Sequence, residues 1–383
     1  MRKYILIATL FLFAIKVDAQ EAQNIADLDF LYQAIQQTPS YKDQLKGDKK
    51  YQQVYESMKS NFNDQNEFDV YRKLYRLIAP IKDNHFGFYK IADTTLKPNL
   101  LKLNINVDSL KNSLKDNSIT NIEGIYKSGD QQVAIFSKNE EEKYVFHLES
   151  KTVVGFLIKT PHQSLDYISL QNGNRGFVLL RNLKFTNGNF RMLNLYRTEK
   201  PIFNNLEVGK DNFEFKHLAD GVDYLRLSSF YSSNANIAIA TKFFVSVKDS
   251  INAPNLIVDV RNNSGGGFRT SQQFINFLSR YKGKIYILQN EKTASNAEKF
   301  IVRLIGKKNV LTLGETTLGT LTYGSNYGKT LSFPNHKFYF YPTDSSDKID
   351  FKYENVGIVP QVILNPFTED WILQTLKYIK AND

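Results

Sequence analysis

The sequence predicts a layered α/β core preceded by an N-terminal helical subdomain and a small antiparallel β domain. Three observations carry this. Apolar residues recur at helical spacing up to about residue 98, short alternating apolar runs follow, and strand and helix patterns alternate from about residue 206. At 383 residues the chain can bury a large core and suits two or three domains. Its composition, 42% hydrophobic and 23% charged, is close to the globular average and so argues against disorder or a fibre.

The first element is read as a secretory signal peptide over residues 1–19. Arg2 and Lys3 precede an apolar run from Tyr4 to Ile15, and Val17-Asp18-Ala19 then places small residues at −3 and −1 of a cut before Gln20. The run is shorter than the roughly 20 residues a permanent span needs. The expectation is export to the periplasm or cell exterior, with no lasting membrane span.

From 20 to 98, three helical patterns follow. Ile25, Leu28, Leu31, Ala34 and Ile35 mark the first, and Tyr51, Val54, Tyr55 and Met58 the second. Phe68, Tyr71, Leu74, Tyr75 and Ile78 mark the third, which ends near Pro80. From 99 to 205, runs such as Gln132 to Phe136 and Lys143 to His147 are bounded by turn signals at Ser128-Gly129-Asp130 and Asn172-Gly173-Asn174. The 28 Phe and 22 Tyr suit strands that use aromatic cross-strand pairs. From 206 to 383, Asp223 to Leu227, Asn255 to Arg261, Lys284 to Leu288 and Val310 to Leu313 read as strands. Helical patterns at Ile237 to Val247, Ser271 to Leu278 and from Ala297 fall between them.

Composition also narrows the chemistry. With no cysteine, a disulfide framework, a thiolate metal site and a cysteine nucleophile are excluded. The five histidines, at 85, 147, 162, 217 and 336, form no pair with metal-ligand spacing, so a metal hydrolase is not expected, and the serine chemistry considered below needs no metal or organic cofactor. The net charge of +10 comes from scattered lysines interleaved with acids, as in Asn139-Glu140-Glu141-Glu142-Lys143. That describes a solvated surface and no nucleic-acid footprint.

Three local features can carry chemistry. In Thr293-Ala294-Ser295-Asn296-Ala297-Glu298 a buried strand turns into a helix, a place that projects a serine hydroxyl and presents amides at a helix start. The same residues fit plain capping, since Ser295 and Glu298 have capping-box spacing. Asp259 to Gly267 ends another buried strand in three consecutive glycines, whose backbone can approach a ligand closely or simply turn. Asp83-Asn84-His85-Phe86-Gly87 follows the helices and offers a histidine.

Together with Val222 to Phe230, Gly314-Glu315-Thr316-Thr317-Leu318-Gly319 and Tyr353 to Pro360, these features occur in an order that resembles the C-terminal-processing (tail-specific, tricorn-core-like) serine peptidases. The resemblance covers about residues 65–95 and 215–365. It implies a crotonase/ClpP-like layered catalytic core over 206–383. It also implies that Ser295 is the nucleophile, that Asn296 and Gly265 or Gly266 supply oxyanion amides, that His85 is the general base, and that Glu354 is the acid orienting it. The family's dyad lysine has no counterpart, because Thr320 follows Gly319, and Asn84 and Phe86 flank His85 where smaller residues are usual. The expected activity is endoproteolysis of unfolded or C-terminal polypeptide segments. The alternatives are a catalytically inactive peptide- or ligand-binding protein on the same fold, and an esterase or other acyl hydrolase. Oligomeric state is not readable from these residues.

Overall fold

A computed structural model describes residues 2–93, 100–170, 175–197, 203, 211–324 and 328–382, with side chains of 2–18 and 175 outside the description. The expected signal segment therefore lies largely outside the described side chains, and the turn expected at Asn172 to Asn174 and the boundary near 205 lie outside the described residues. No helix among the described residues is long and apolar enough to cross a membrane.

Four helices come first: α1 Arg2–Gln37, α2 Pro39–Gln44, α3 Lys49–Lys59 and α4 Glu67–Ile78. Strand β1 is Gly87–Ile91, and α5 is Val107–Leu114. A run of strands follows: β2 Gly124–Ser128, β3 Gln131–Ser137, β4 Glu142–His147, β5 Thr152–Lys159, β6 Leu165–Ser169, β7 Arg175–Leu183, β8 Asn189–Phe190 and β9 Leu195–Tyr196. Then β10 Phe213–Ala219, β11 Val222–Leu227, α6 Asn234–Val247, β12 Asn255–Asp259, α7 Phe268–Leu278, β13 Lys284–Gln289, α8 Asn296–Val302 and β14 Val310–Gly314 alternate. Short strands β15 Tyr323–Gly324, β16 Leu331–Ser332, β17 Phe338–Tyr341, β18 Ser345–Ser346 and β19 Val362–Ile363 precede α9 Trp371–Asn382.

The chain forms two compact units, residues 1–197 with 323–346, and residues 198–322 with 347–383. In the first, an eleven-stranded sheet runs in the order β16-β17-β1-β7-β6-β5-β4-β3-β2-β9-β8, with every pairing antiparallel. It is larger than residues 99–205 alone supply, because β1 and the distant β16 and β17 extend it. The aromatic residues form the expected cross-strand pairs: Phe136, Tyr144 and Phe156 are register neighbours on β3, β4 and β5 with ring centroids 5.4 and 5.5 Å apart. Tyr89 stacks on its partner Tyr339 at 5.5 Å. Helices α1, α3 and α4 bury the predicted stripes, including Leu28, Leu31 and Ile35, then Tyr51 and Met58, then Tyr71, Leu74 and Tyr75, in one core with the sheet.

The second unit is the layered α/β core. Its sheet order is β10-β11-β12-β13-β14-β19, parallel from β11 onward, with β10 antiparallel at the edge. Alternation divides each strand between two cores. Leu225, Leu256, Val258, Ile285 and Ile287 pack with Phe274, Phe300 and Ile301 from α7 and α8, whereas Tyr224, Ile257, Tyr286 and Leu288 pack with Trp371 and Ile379 of α9. Both faces are covered, which is why these strands read as continuous apolar runs. Parallel strands also bring their C-terminal ends, and the loops leaving them, to one edge.

Candidate active site

Ser295 lies in the loop from the C-terminal end of β13 into α8, and its backbone separates it from an ordinary cap. The helix-capping residues Thr38, Asp48, Asn66, Asn106 and Ser233 are all extended and accept a first-turn amide on their side chains. Ser295 has φ 55° and ψ −123°, a conformation that a side chain with a Cβ adopts at a cost of about 1–3 kcal/mol. A residue held this way at a strand-to-helix turn is lifted out of the sheet edge. The surrounding hydrogen bonds impose it. Ala294 donates its amide to the Asn263 carbonyl (2.9 Å), Thr293 Oγ1 donates to the Val260 carbonyl (2.9 Å), and Leu318 donates its amide to the Thr293 carbonyl (3.0 Å).

The glycine loop lies directly against this turn. A Cβ placed on Gly265 (φ 91°) would stand 2.7 Å from the Ala294 carbonyl oxygen, 2.7 Å from the Asn296 nitrogen and 2.8 Å from Ser295 Cβ. One on Gly266 (φ 130°) would stand 2.1 Å from the Phe230 carbonyl oxygen. Only glycine fits either position. The Gly265 amide donates to Asn263 Oδ1 at 2.8 Å, and buried Asn263 is itself anchored through Nδ2 to the Leu227 carbonyl at 2.8 Å. Of the two glycines expected to offer an oxyanion donor, Gly266 is thus the one whose amide is not engaged within the loop. The Asn296 amide opens α8, where the first-turn N–H groups have no intrahelical acceptor, and its side chain is held by Ser271 Oγ at 2.9 Å.

Glu298 organises the site in a way the sequence reading took only for capping. Fully buried, it accepts the Ser295 amide (3.0 Å) and the Thr320 amide (2.8 Å) on Oε2, and the Thr317 hydroxyl (2.5 Å) and the Gly319 amide (2.7 Å) on Oε1. Burial pushes its carboxyl above the ordinary range, against the pull of these four donors. The only sequence signal was a Glu three positions after a Ser. Nothing local showed that the same carboxylate would reach residues 317–320. Glu354, also buried, accepts the Leu321 and Thr322 amides on Oε2 at 3.0 and 2.8 Å. Two carboxylates thereby hold consecutive amides of one loop. Asn355 donates its amide to the Gly319 carbonyl at 2.9 Å, and Ile358 donates its amide to Thr317 Oγ1 at 2.7 Å. Ser295, Asn296, Gly265, Gly266 and Glu354 therefore all belong to the α/β unit.

His85 belongs to the other unit. It is half-buried in the turn before β1, and its amide donates to Asp83 Oδ1 at 3.1 Å. Asp83 is completely buried, takes the Thr343 hydroxyl on Oδ2 at 2.6 Å, and receives Arg181 Nη1 on its carbonyl at 3.0 Å. Burial raises its carboxyl to about 6, opposed by bonds from Thr343 and Ser40 and by the Arg181 charge. The turn carrying His85 is thus tied to the sheet core. Among the described residues no cluster of three or more His, Cys, Asp or Glu could hold a metal ion.

No family model and no curated protein matches this chain. Several solved structures are similar to it. A lipoprotein from Streptococcus agalactiae matches at 19% identity over 45% of this chain and 70% of its own, with a TM-score of 0.33. The photosystem II D1 C-terminal processing protease matches at 13% over 90% and 93%, with a TM-score of 0.44. The tricorn protease matches at 13% over 94% of this chain and 37% of its own, with a TM-score of 0.46.

Proposed function

We propose that this chain is an exported serine endopeptidase that cleaves unfolded or C-terminal segments of proteins through an acyl-enzyme on Ser295. The observation that carries the reading is the left-handed backbone of Ser295 at a strand-to-helix turn, with the Asn296 amide and the Gly266 loop beside it. In this reading Ser295 Oγ attacks the scissile carbonyl carbon while a base takes its proton, and the carbonyl π electrons move onto oxygen. The Asn296 and Gly266 amides stabilise that oxyanion, each worth roughly 3 kcal/mol in the transition state. The C–N bond then breaks as the base returns the proton to the leaving amine, and water hydrolyses the ester by the same steps. His85 is the proposed base, on the sequence resemblance, since an imidazole is the side chain best suited to take and return a proton in such a step. Glu354, expected as the acid behind the base, contributes through the loop amides of Leu321 and Thr322 that it holds. Export rests on the basic and apolar pattern of residues 1–19.

The test is cleavage of casein by the mature chain beside Ser295→Ala and His85→Ala, with a fluorophosphonate reagent to label the nucleophile. The expected result is cleavage and labelling at Ser295 by the wild type and loss of most cleavage in both variants. A wild type that neither cleaves nor labels across roughly pH 5–9, where a histidine base is deprotonated over much of the range, would turn the reading towards a non-catalytic binding protein.

A further inference from the structure

At the N-terminal edge of the parallel sheet, the loop entering β12 and the loop entering β13 line an open cleft of about 620 Å³. It lies within the α/β unit. Ser295 follows the opposite end of β13, whose six residues span about 20 Å, so the cleft is separate from the candidate active site. A space of this size takes the body of a small organic molecule.

Both walls are fixed by polar side chains. The buried carboxylate of Asp223 accepts the amides of Asn252 and Ala253 on Oδ2, each at 3.1 Å, and so holds one loop. Asn309 Nδ2 donates to the carbonyls of Tyr281 (3.0 Å) and Gly283 (2.8 Å) and holds the other. The loops are joined where the Lys284 amide donates to the Pro254 carbonyl at 2.8 Å and the Tyr281 hydroxyl donates to the Ala253 carbonyl at 2.5 Å. A Cβ at Gly283 would stand 2.4 Å from the Pro254 carbonyl oxygen, so this approach requires glycine. A cleft held in this way is formed before a ligand arrives, and binding there orders little of the protein.

The lining combines two kinds of surface. Ile251, Pro254 and the rings of Phe277 and Tyr281 are apolar, Arg280 and Lys282 bring two positive charges, and no lining residue is acidic. Both cations are exposed, and among the described residues neither forms an ion pair. The carbonyls that end α7 do not oppose an anion strongly, because those of Ile275, Phe277 and Leu278 already accept the amides of Ser279, Arg280 and Tyr281.

We propose that this cleft is a second binding site, for a small organic acid whose apolar body lies against Phe277, Tyr281 and Pro254 while its carboxylate pairs with Arg280 and Lys282. A guanidinium matches a carboxylate through two parallel N–H···O bonds, and the ammonium adds a second charge. The apolar lining selects for a body such as one aromatic ring on a short chain, because a ligand made mostly of charged groups would be desolvated against it without partners. The site stands whether or not Ser295 is a peptidase nucleophile.

The experiment titrates the full mature chain with hydrocinnamate, with its neutral amide hydrocinnamamide and with acetate, followed by ligand-observed saturation-transfer NMR. The same titrations are made on the double variant Arg280→Gln/Lys282→Gln, whose altered side chains are exposed; its fold is checked by circular dichroism and its Trp371 urea midpoint. The expected result is hydrocinnamate binding with a Kd below about 1 mM. The amide and acetate, each lacking one half of the recognition, bind at least about tenfold more weakly. In the double variant hydrocinnamate falls to the level of the amide, with the urea midpoint unchanged. Equal binding of acid and amide would remove the role of the two cations and overturn the proposal. So would hydrocinnamate binding that the double variant leaves intact, which would place the acid elsewhere on the chain, or no binding by the wild type. If the double variant does not fold, Arg280→Gln and Lys282→Gln are read singly against the same outcomes.

Discussion

Replacing Glu298 by alanine gives the sharpest test of how the Ser295 turn is held. The carboxylate is the common acceptor for three backbone amides and one hydroxyl, all with good geometry and all at a fully buried residue. Removing it strands those donors. A buried donor without an acceptor costs about 1–3 kcal/mol, and relaxation or entering water recovers part of the total, so a net loss of about 4 kcal/mol is expected. Glu298→Gln keeps one acceptor oxygen but turns an NH2 toward two of the four donors, so its loss should fall between wild type and alanine. The readout is built in. Trp371 is the chain's single tryptophan and lies buried in the α/β unit, so its fluorescence during urea unfolding reports the stability of the unit that carries the site. Labelling of Ser295 should slow in the same variant, because the anchored end of the turn is released. A Glu298→Ala unfolding free energy within about 1 kcal/mol of wild type would show that the four bonds contribute little.

Two further predictions follow from backbone and charge. Ser295→Gly should stabilise the α/β unit by up to about 1 kcal/mol in the same Trp371 assay while abolishing labelling, because glycine adopts φ 55° without strain. Ser295→Ala keeps the Cβ and should show no such gain; equal stability of the two variants would mean that the turn is relaxed. Asp83 binds its proton more tightly folded (about 6) than at its ordinary value of 3.8. Its contribution to stability is therefore greatest below about pH 4 and falls by about 3 kcal/mol as pH rises to above 6. Asp83→Asn should remove that fall, measured as the pH dependence of hydrogen exchange in the 83–91 segment relative to wild type; parallel profiles for the two proteins would sink the assignment.

What the sequence determined by itself is what local chemistry controls. The stripes Leu28-Leu31-Ile35 and Tyr71-Leu74-Tyr75 showed helices because a helix returns every third or fourth side chain to one face. Asn255 to Asp259 and Lys284 to Leu288 showed buried strands because both their faces are covered. The Ser295 turn and the glycine loop were legible because strand ends, a helix start and consecutive glycines each leave a short-range signature. Tertiary structure alone decided the rest. That β17 at 338–341 pairs with β1 at 87–91 depends on a partner some 250 positions away, and no local pattern specifies which edge a strand will find. That Ser295 both opens the capping box with Glu298 and carries a strained backbone could not be read from Ser-x-x-Glu, since an ordinary extended cap uses the same residues. The backbone angle is set by bonds from Val260, Asn263, Thr293 and Leu318 that only folding brings together. Glu298 makes the point most clearly. Its reach to its own helix start is local and visible in the sequence, whereas its bonds to Thr317, Gly319 and Thr320 exist because a buried carboxylate must find donors wherever packing supplies them.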